Sequence, residues 1–213
     1  MKPKVILYLD HPRCSVQSCH GIIKALAPKY EVDIFQQHEI KESNFKKYDI
    51  IAFPGGIGDS DTFDTSIKSK MDIIKNQLTH GKRYLGICMG AYWAGHHYFD
   101  ILDDVKCEQY IKRHNSDVQR SFSTVTPVTW EGVKHDMFFY DGCSLVGDNS
   151  KFETIATYIN NDSMAIIQNN IGLIGCHPES DEYWYNKPYL KKYWHNFSHH
   201  QLLLNFVDKL MKH

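Results

Sequence analysis

An α/β fold built on a mostly parallel sheet, with helices on both faces, follows from two features of the chain. Short strands that are apolar throughout alternate with helix-compatible stretches along the first half. Glycine-rich turns then close several of those strands at the point where the chain reverses. Strands without a polar face need cover on both sides, which a parallel sheet between helices provides. Val5 to Leu9 reads as the first strand, and Ser15 to Leu26 as a helix through Val16, Ile22, Ile23 and Leu26. Tyr30 to Phe35 is a second strand, and Ile50-Ile51-Ala52-Phe53 a third that ends at Pro54-Gly55-Gly56. Ile67, Met71, Ile74 and Leu78 are spaced as one helical face over 65–78, with Gly81 as the stop. A strand from Arg83 then runs into Gly86-Ile87-Cys88-Met89-Gly90.

The second half is less regular. Residues 100–120 carry mixed charge, Ser123 to Trp130 reads as extended, and Met137 to Gly142 as a strand entering a turn. Glu153 to Ile159, Ala165 to Gln168 and Ile171 to Cys176 are three further strands, the last two joined by Asn169-Asn170 as a tight hairpin. Leu202, Leu203, Phe206, Val207 and Leu210 share one face of a helix over 197–211. No linker, repeat or low-complexity stretch interrupts the 213 residues, which are expected to form a single domain, 1–213.

Composition narrows the function classes. With 24 basic and 25 acidic residues, the charge offers no electrostatic case for nucleic acid or an anionic membrane. No apolar run approaches a membrane span, and the N-terminal run is too short for a signal segment. Six cysteines without disulfide-scaffold density read as reduced thiols, hence a cytoplasmic setting. His11, Cys14, Cys19 and His20 lack the paired short spacings of a structural zinc site, so no metal is expected there. A substrate-facing loop after the first strand suits them better. Gly55-Gly56-Ile57-Gly58 lacks the rest of a dinucleotide fingerprint, so no cofactor is expected.

Three motifs carry chemistry. Gly-x-Cys-x-Gly is the cysteine form of the nucleophile elbow, in which a strand turns sharply into a helix and presents one side chain at the apex. Backbone passes close to that apex, which is why Gly86 and Gly90 flank Cys88. The N–H groups of a helix starting at Met89 favour a thiolate and a neighbouring oxyanion. A buried cysteine after a core strand would fit the pentapeptide equally well. The second motif, Gly175-Cys176-His177-Pro178-Glu179, ends a strand with an imidazole and, two residues on, a carboxylate. An imidazole activates a thiol, and a carboxylate on its other nitrogen fixes tautomer and orientation. In the third, Pro54-Gly55-Gly56, consecutive glycines leave N–H groups able to hold an oxyanion together with that of Met89. All three fall at the carboxyl ends of expected strands, the edge where open α/β sheets bind ligands.

In this arrangement, Gly86-Ile87-Cys88-Met89-Gly90, Pro54-Gly55-Gly56 and His177-Pro178-Glu179 resemble the class I glutamine amidotransferase-like superfamily over most of the chain. Leu85-Gly86-Ile87-Cys88, Gly90-Ala91-Tyr92, Phe138 to Gly142 and His177-Pro178-Glu179 are most similar to its biotin-protein ligase N-terminal-domain-like group. The resemblance implies a flavodoxin-like sheet, a Cys88–His177–Glu179 triad and an oxyanion hole near Gly55, Gly56 and Met89. It also implies a thioester route from a carboxamide, glutamine or a related amide. Ammonia would pass to a synthetase or acceptor-enzyme partner, because the chain has no room for a synthetase domain. One position departs from the pattern: glutamine-hydrolysing members carry a glutamine four residues after the cysteine, where this chain has Tyr92. A phenol does not copy an amide's paired donor and acceptor, so Tyr92 is a substrate-binding candidate that bears on glutamine itself. Two other readings stand beside this one. One is a binding or regulatory module that kept the fold without turnover; the other is a small-amide or peptide hydrolase.

Overall fold

The computed structural model describes residues 2–10, 14–57 and 59–213. His11 and Gly58, which belong to the zinc and dinucleotide readings, lie outside them. The chain opens with β1 (Lys4–Tyr8), α1 (Val16–Leu26), β2 (Glu31–Phe35), α2 (Glu42–Phe45) and β3 (Ile50–Phe53). Then come α3 (Ser60–Ser66), α4 (Met71–Thr79), β4 (Arg83–Ile87) and the short α5 (Met89–Trp93). Seven strands follow: β5 (Val105–Gln109), β6 (Thr124–Trp130), β7 (Val133–Phe139), β8 (Cys143–Gly147), β9 (Glu153–Tyr158), β10 (Ser163–Gln168) and β11 (Ile171–Ile174). α6 (Ser198–Leu210) closes the chain.

Among the described residues the strands form one sheet in the order β2-β1-β3-β4-β11-β10-β9-β6-β7, with β8 pairing β10 and β5 pairing β8. The run β2-β1-β3-β4-β11 is parallel, and the remainder is joined by antiparallel pairs. The expected α/β architecture is therefore observed, its parallel portion extended by an antiparallel one. Alternation along β1 sends Val5 and Leu7 to a core shared with α1 and α6, and Ile6 and Tyr8 to a core shared with α3, α4 and α5. The Asn169-Asn170 turn links β10 and β11 as expected, with Asn169 in the left-handed region at φ 52°.

Three details differ from the sequence reading. The helix expected over 65–78 is two helices, because Ile67 leaves helical geometry (φ −122°, ψ −38°) and a 3-10 turn at Lys68–Lys70 separates them. Asp59 caps α3 from in front, accepting from the Thr62 N–H at 2.8 Å. β5 and β8 are strands that the mixed composition of their segments concealed. His199 and His200, which the sequence reading left out of the apolar set of the last helix, are buried; the His199 ring stacks on His195 at 4.0 Å, and His200 Nε2 lies 3.1 Å from the carbonyls of Glu179 and Ser180.

The turn from β4 into α5 is built by close approach. A Cβ on Gly86 would stand 2.4 Å from the Gly90 carbonyl oxygen, and one on Gly90 would stand 2.2 Å from that of Phe53. Gly90 N–H also donates to the Pro54 carbonyl at 3.1 Å, which ties the turn to the end of β3. Neither neighbour is a side-chain tip that can swing away. Gly90→Ala is therefore expected to lower unfolding free energy by about 1–3 kcal/mol through overpacking, read by denaturant unfolding. A change within about 0.5 kcal/mol, the range of surface substitutions, would contradict this packing.

Candidate active site

Strands β3, β4 and β11 are adjacent and parallel, so their carboxyl ends emerge together. Register places Phe53 beside Gly86 and Ile174 beside Ile87. The next residues along each strand are Pro54-Gly55-Gly56, Cys88 and Gly175-Cys176-His177. Three motifs separated by many residues thus meet at one edge.

Cys88 occupies the junction with φ 50° and ψ −101°, a conformation that a residue with a side chain rarely adopts. Its N–H donates to the Ile174 carbonyl at 2.8 Å, and its carbonyl accepts from the Tyr92 N–H at 3.0 Å. The peptide is therefore pinned on both sides while the sulfur faces a cavity that His177 also lines. Across the cleft, the Cys88 Sγ lies 3.7 Å from the Tyr140 carbonyl oxygen.

His177 is held by its N–H to the Phe138 carbonyl at 3.0 Å and by Nδ1, which lies 2.9 Å from Glu179 Oε1. That contact leaves Nε2 free of Glu179, and the ring lines the same cavity as Cys88. Only a glycine fits beside the imidazole at position 55, since a Cβ there would be 2.7 Å from His177 Cε1. Burial alone would favour neutral imidazole. The negative charge of Glu179 and the Cys88 sulfur outweigh burial and push the His177 pKa up to about 10.

Glu179 is wholly buried, and its Oε1 carries the load: it receives His177 at 2.9 Å and the Ser18 hydroxyl at 2.6 Å. Oε2 has no hydrogen-bond partner among the described residues. Ser18 Oγ in turn accepts the Gly55 N–H at 2.9 Å, so one hydroxyl on α1 ties the carboxylate to the glycine turn. α1 comes this close because Gly21 lacks a Cβ, which would stand 2.0 Å from the Glu179 carbonyl oxygen.

Of the groups expected to face an oxyanion, Gly55 has its N–H bonded to Ser18. Gly56 lines both cavities that flank Cys88, and Met89 lines one of them. The first cavity, about 480 Å³, contains His177, Phe138, Tyr183 and Trp184; the second, about 470 Å³, contains Met89, Tyr92, Gln109 and Asp141. Tyr92 lines the second cavity together with Cys88. Its hydroxyl donates to the Asp141 carbonyl at 3.1 Å. The sequence reading did not single out Gln109, whose amide lies 3.2 Å from both carboxylate oxygens of Asp141. It also passed over Ser18, although a serine four residues before Ile22 on the apolar face of a helix is itself a signal. Cys14 and Cys19 point back into the sheet, with sulfurs 3.8 and 3.4 Å from the Tyr8 carbonyl oxygen.

A thiol at a strained turn, an imidazole beside it and a buried carboxylate on the far nitrogen make an arrangement suited to nucleophilic attack on an acyl carbon. The family model described as glutamine amidotransferase class-I matches residues 15–196, and the chain belongs to that family. Among solved structures it resembles a glutamine amidotransferase from Thermotoga maritima (TM-score 0.69, 10% identity, 100% of both chains covered). It also resembles the PurLQS structure from Thermotoga maritima (TM-score 0.65, 16% identity, 97% of this chain and 100% of that one). A third similar structure is a putative GMP synthase subunit from Thermoplasma acidophilum (TM-score 0.60, 16% identity, 98% of both chains). No curated protein sequence matches the chain.

A raised imidazole pKa stabilises the fold fully below the unfolded value, about 6.5, and that contribution is lost as pH rises through about 10. Glu179→Gln removes the main charge that holds the proton, so the fall in stability between pH 7 and 10 is expected to flatten in that variant. An unchanged slope in pH-dependent denaturation would contradict the assignment. Ser18→Ala leaves the Gly55 N–H without its acceptor and is expected to cost about 1–3 kcal/mol, with Ser18→Thr retaining more stability.

Proposed function

We propose that the chain is a cysteine-nucleophile enzyme that cleaves a carboxamide through a thioester, with Cys88 as nucleophile, His177 as proton carrier and Glu179 as the group that orients His177. The observation that carries this reading is the 2.9 Å contact between His177 Nδ1 and Glu179, in a ring that lines the same cavity as the strained Cys88. Cys88 attacks the carbonyl carbon as a thiolate paired with the His177 imidazolium, which the raised pKa keeps protonated at neutral pH. The oxyanion is held by the N–H groups of Gly56 and Met89, within the hole expected near Gly55, Gly56 and Met89. Collapse breaks the C–N bond as His177 gives its proton to the departing nitrogen. Water, deprotonated by the same imidazole, then releases the acid and restores the thiol.

The acyl part is assigned to the cavity that holds Tyr92, where Gln109, Asp59 and Asp141 offer amide and carboxylate groups. Family membership favours glutamine or a related amide there. The elbow and Phe-Phe-Tyr-Asp-Gly sequences favour the biotin-protein ligase N-terminal-like branch. The likeness to PurLQS and to a GMP synthase component favours a synthetase or acceptor enzyme as partner for the released nitrogen. A single domain over 1–213 and a cytoplasmic location complete the proposal.

Tyr92 sets the specificity test. An aromatic wall with its hydroxyl already bonded to Asp141 lacks the paired donor and acceptor of an amide, and a site without a substrate's hydrogen-bond partners discriminates against it. The purified chain alone is expected to release ammonia from glutamine slowly. Cys88→Ala and His177→Ala should each remove all of that release, and Tyr92→Gln should raise it. Robust release that survives Cys88→Ala would place the chemistry elsewhere.

A further inference from the structure

We propose that the scissile nitrogen of the preferred substrate carries an organic substituent, a neutral aryl or alkyl group, seated in the cavity on the imidazole side of Cys88. The inference rests on the thioester reading and follows from where the proton must go. In the cleavage step the S–C bond forms and the C–N bond breaks, while the proton on His177 Nε2 moves to nitrogen and the amine leaves. Water then adds to the thioester carbonyl, the carboxylic acid departs and the thiol is restored. The nitrogen, with whatever is bonded to it, therefore lies on the side of Cys88 that His177 occupies, and the acyl group lies on the other.

The structure has a cavity on each side. Both are lined by Gly56, Ile57, Cys88 and Tyr140, but His177 lines only the first, while Met89 and Tyr92 line only the second. Ammonia needs roughly the space of one water, about 30 Å³. The His177-side cleft, about 480 Å³ and open to solvent, therefore has room for far more than ammonia.

The walls say what fits there. Phe138 and Trp184 meet edge to face with ring centroids 5.0 Å apart, and Trp184 lies 5.3 Å from the His177 ring. Half-exposed Tyr140 and Tyr183 extend this aromatic surface toward the mouth. No carboxylate, lysine or arginine is among the described residues lining the cavity, so nothing there would recognise a charged amine. A flat ring or alkyl chain gains aromatic contact at that position, whereas ammonia gains none.

Matched pairs of amides separate this idea from the thioester reading. The pairs are acetamide with acetanilide, and glutamine with its γ-anilide. Each is tested for protection of Cys88 in the full-length chain against iodoacetamide, and for release of ammonia or aniline. The anilide of each pair is expected to protect at concentrations at least about tenfold lower, the scale of discrimination an apolar pocket gives. Trp184→Ala, which removes a wall, and Ser123→Phe, which enlarges a lining side chain and narrows the cavity, are each expected to bring that ratio toward one. Equal protection within pairs, or a ratio unmoved by both variants, overturns the inference. Iodoacetamide labelling of Cys88 that is no slower in His177→Ala would instead count against the thioester reading, while the pairwise ratio still reports on the cavity.

Discussion

A carboxylate with no contact with water organises this site. Removing an ionised group from solvent is costly unless a counter-charge and hydrogen bonds compensate, and Glu179 receives both on a single oxygen. His177 supplies the charge and is thereby fixed in ring orientation beside the cavity that Cys88 also lines. Ser18 supplies the hydroxyl and in doing so fixes the glycine turn after β3 through the Gly55 N–H. Two glycines make the geometry accessible: Gly21 lets α1 reach the Glu179 backbone, and Gly55 lets the imidazole pass. One buried charge therefore sets the positions of the base, the first helix and the turn that borders both cavities.

The sheet supplies the remaining constraint. β4 lies between β3 and β11, and parallel pairing brings three carboxyl ends to one edge. The Cys88 N–H is held by β11 and the Gly90 N–H by the residue after β3, so the strained turn is braced from both neighbouring strands. Strain of this kind persists only where surrounding structure over-determines it. The antiparallel extension adds Phe138 and Tyr140 through β7 and its turn, and Gln109 through β5, which completes the two cavities.

The central parallel strands β3, β4 and β11 were legible in the sequence because their runs are apolar and a glycine lies in or just beyond the end of each. Cys88, His177 and Glu179 were legible for the same reason, since each follows such a strand. β5 and β8 were not: Val-Lys-Cys-Glu-Gln alternates over only four residues inside a mixed-charge stretch, and Cys-Ser-Leu-Val-Gly has neither a continuous apolar run nor clean alternation. The break at Ile67 was hidden because Ile67, Met71, Ile74 and Leu78 keep helical spacing across a 3-10 turn. Ser18 and Gln109 act through partners more than thirty residues away in the chain (Gly55, Glu179 and Asp141), and local patterns do not report such pairings. Gly55 shows the same limit, since its free N–H in sequence terms is bonded to Ser18 in the fold.

The most direct measurement is the order in which the six cysteines react with a limiting amount of iodoacetamide, mapped by peptide mass spectrometry in wild type and His177→Ala. Exposure alone would put Cys107 first, because it is the one cysteine that is not buried. Activation by His177 puts Cys88 first instead, with a rate that falls at least about a hundredfold in His177→Ala, the lower end of general-base contributions. Labelling led by Cys107, or a Cys88 rate indifferent to His177, would contradict the assignment of Cys88 as the nucleophile.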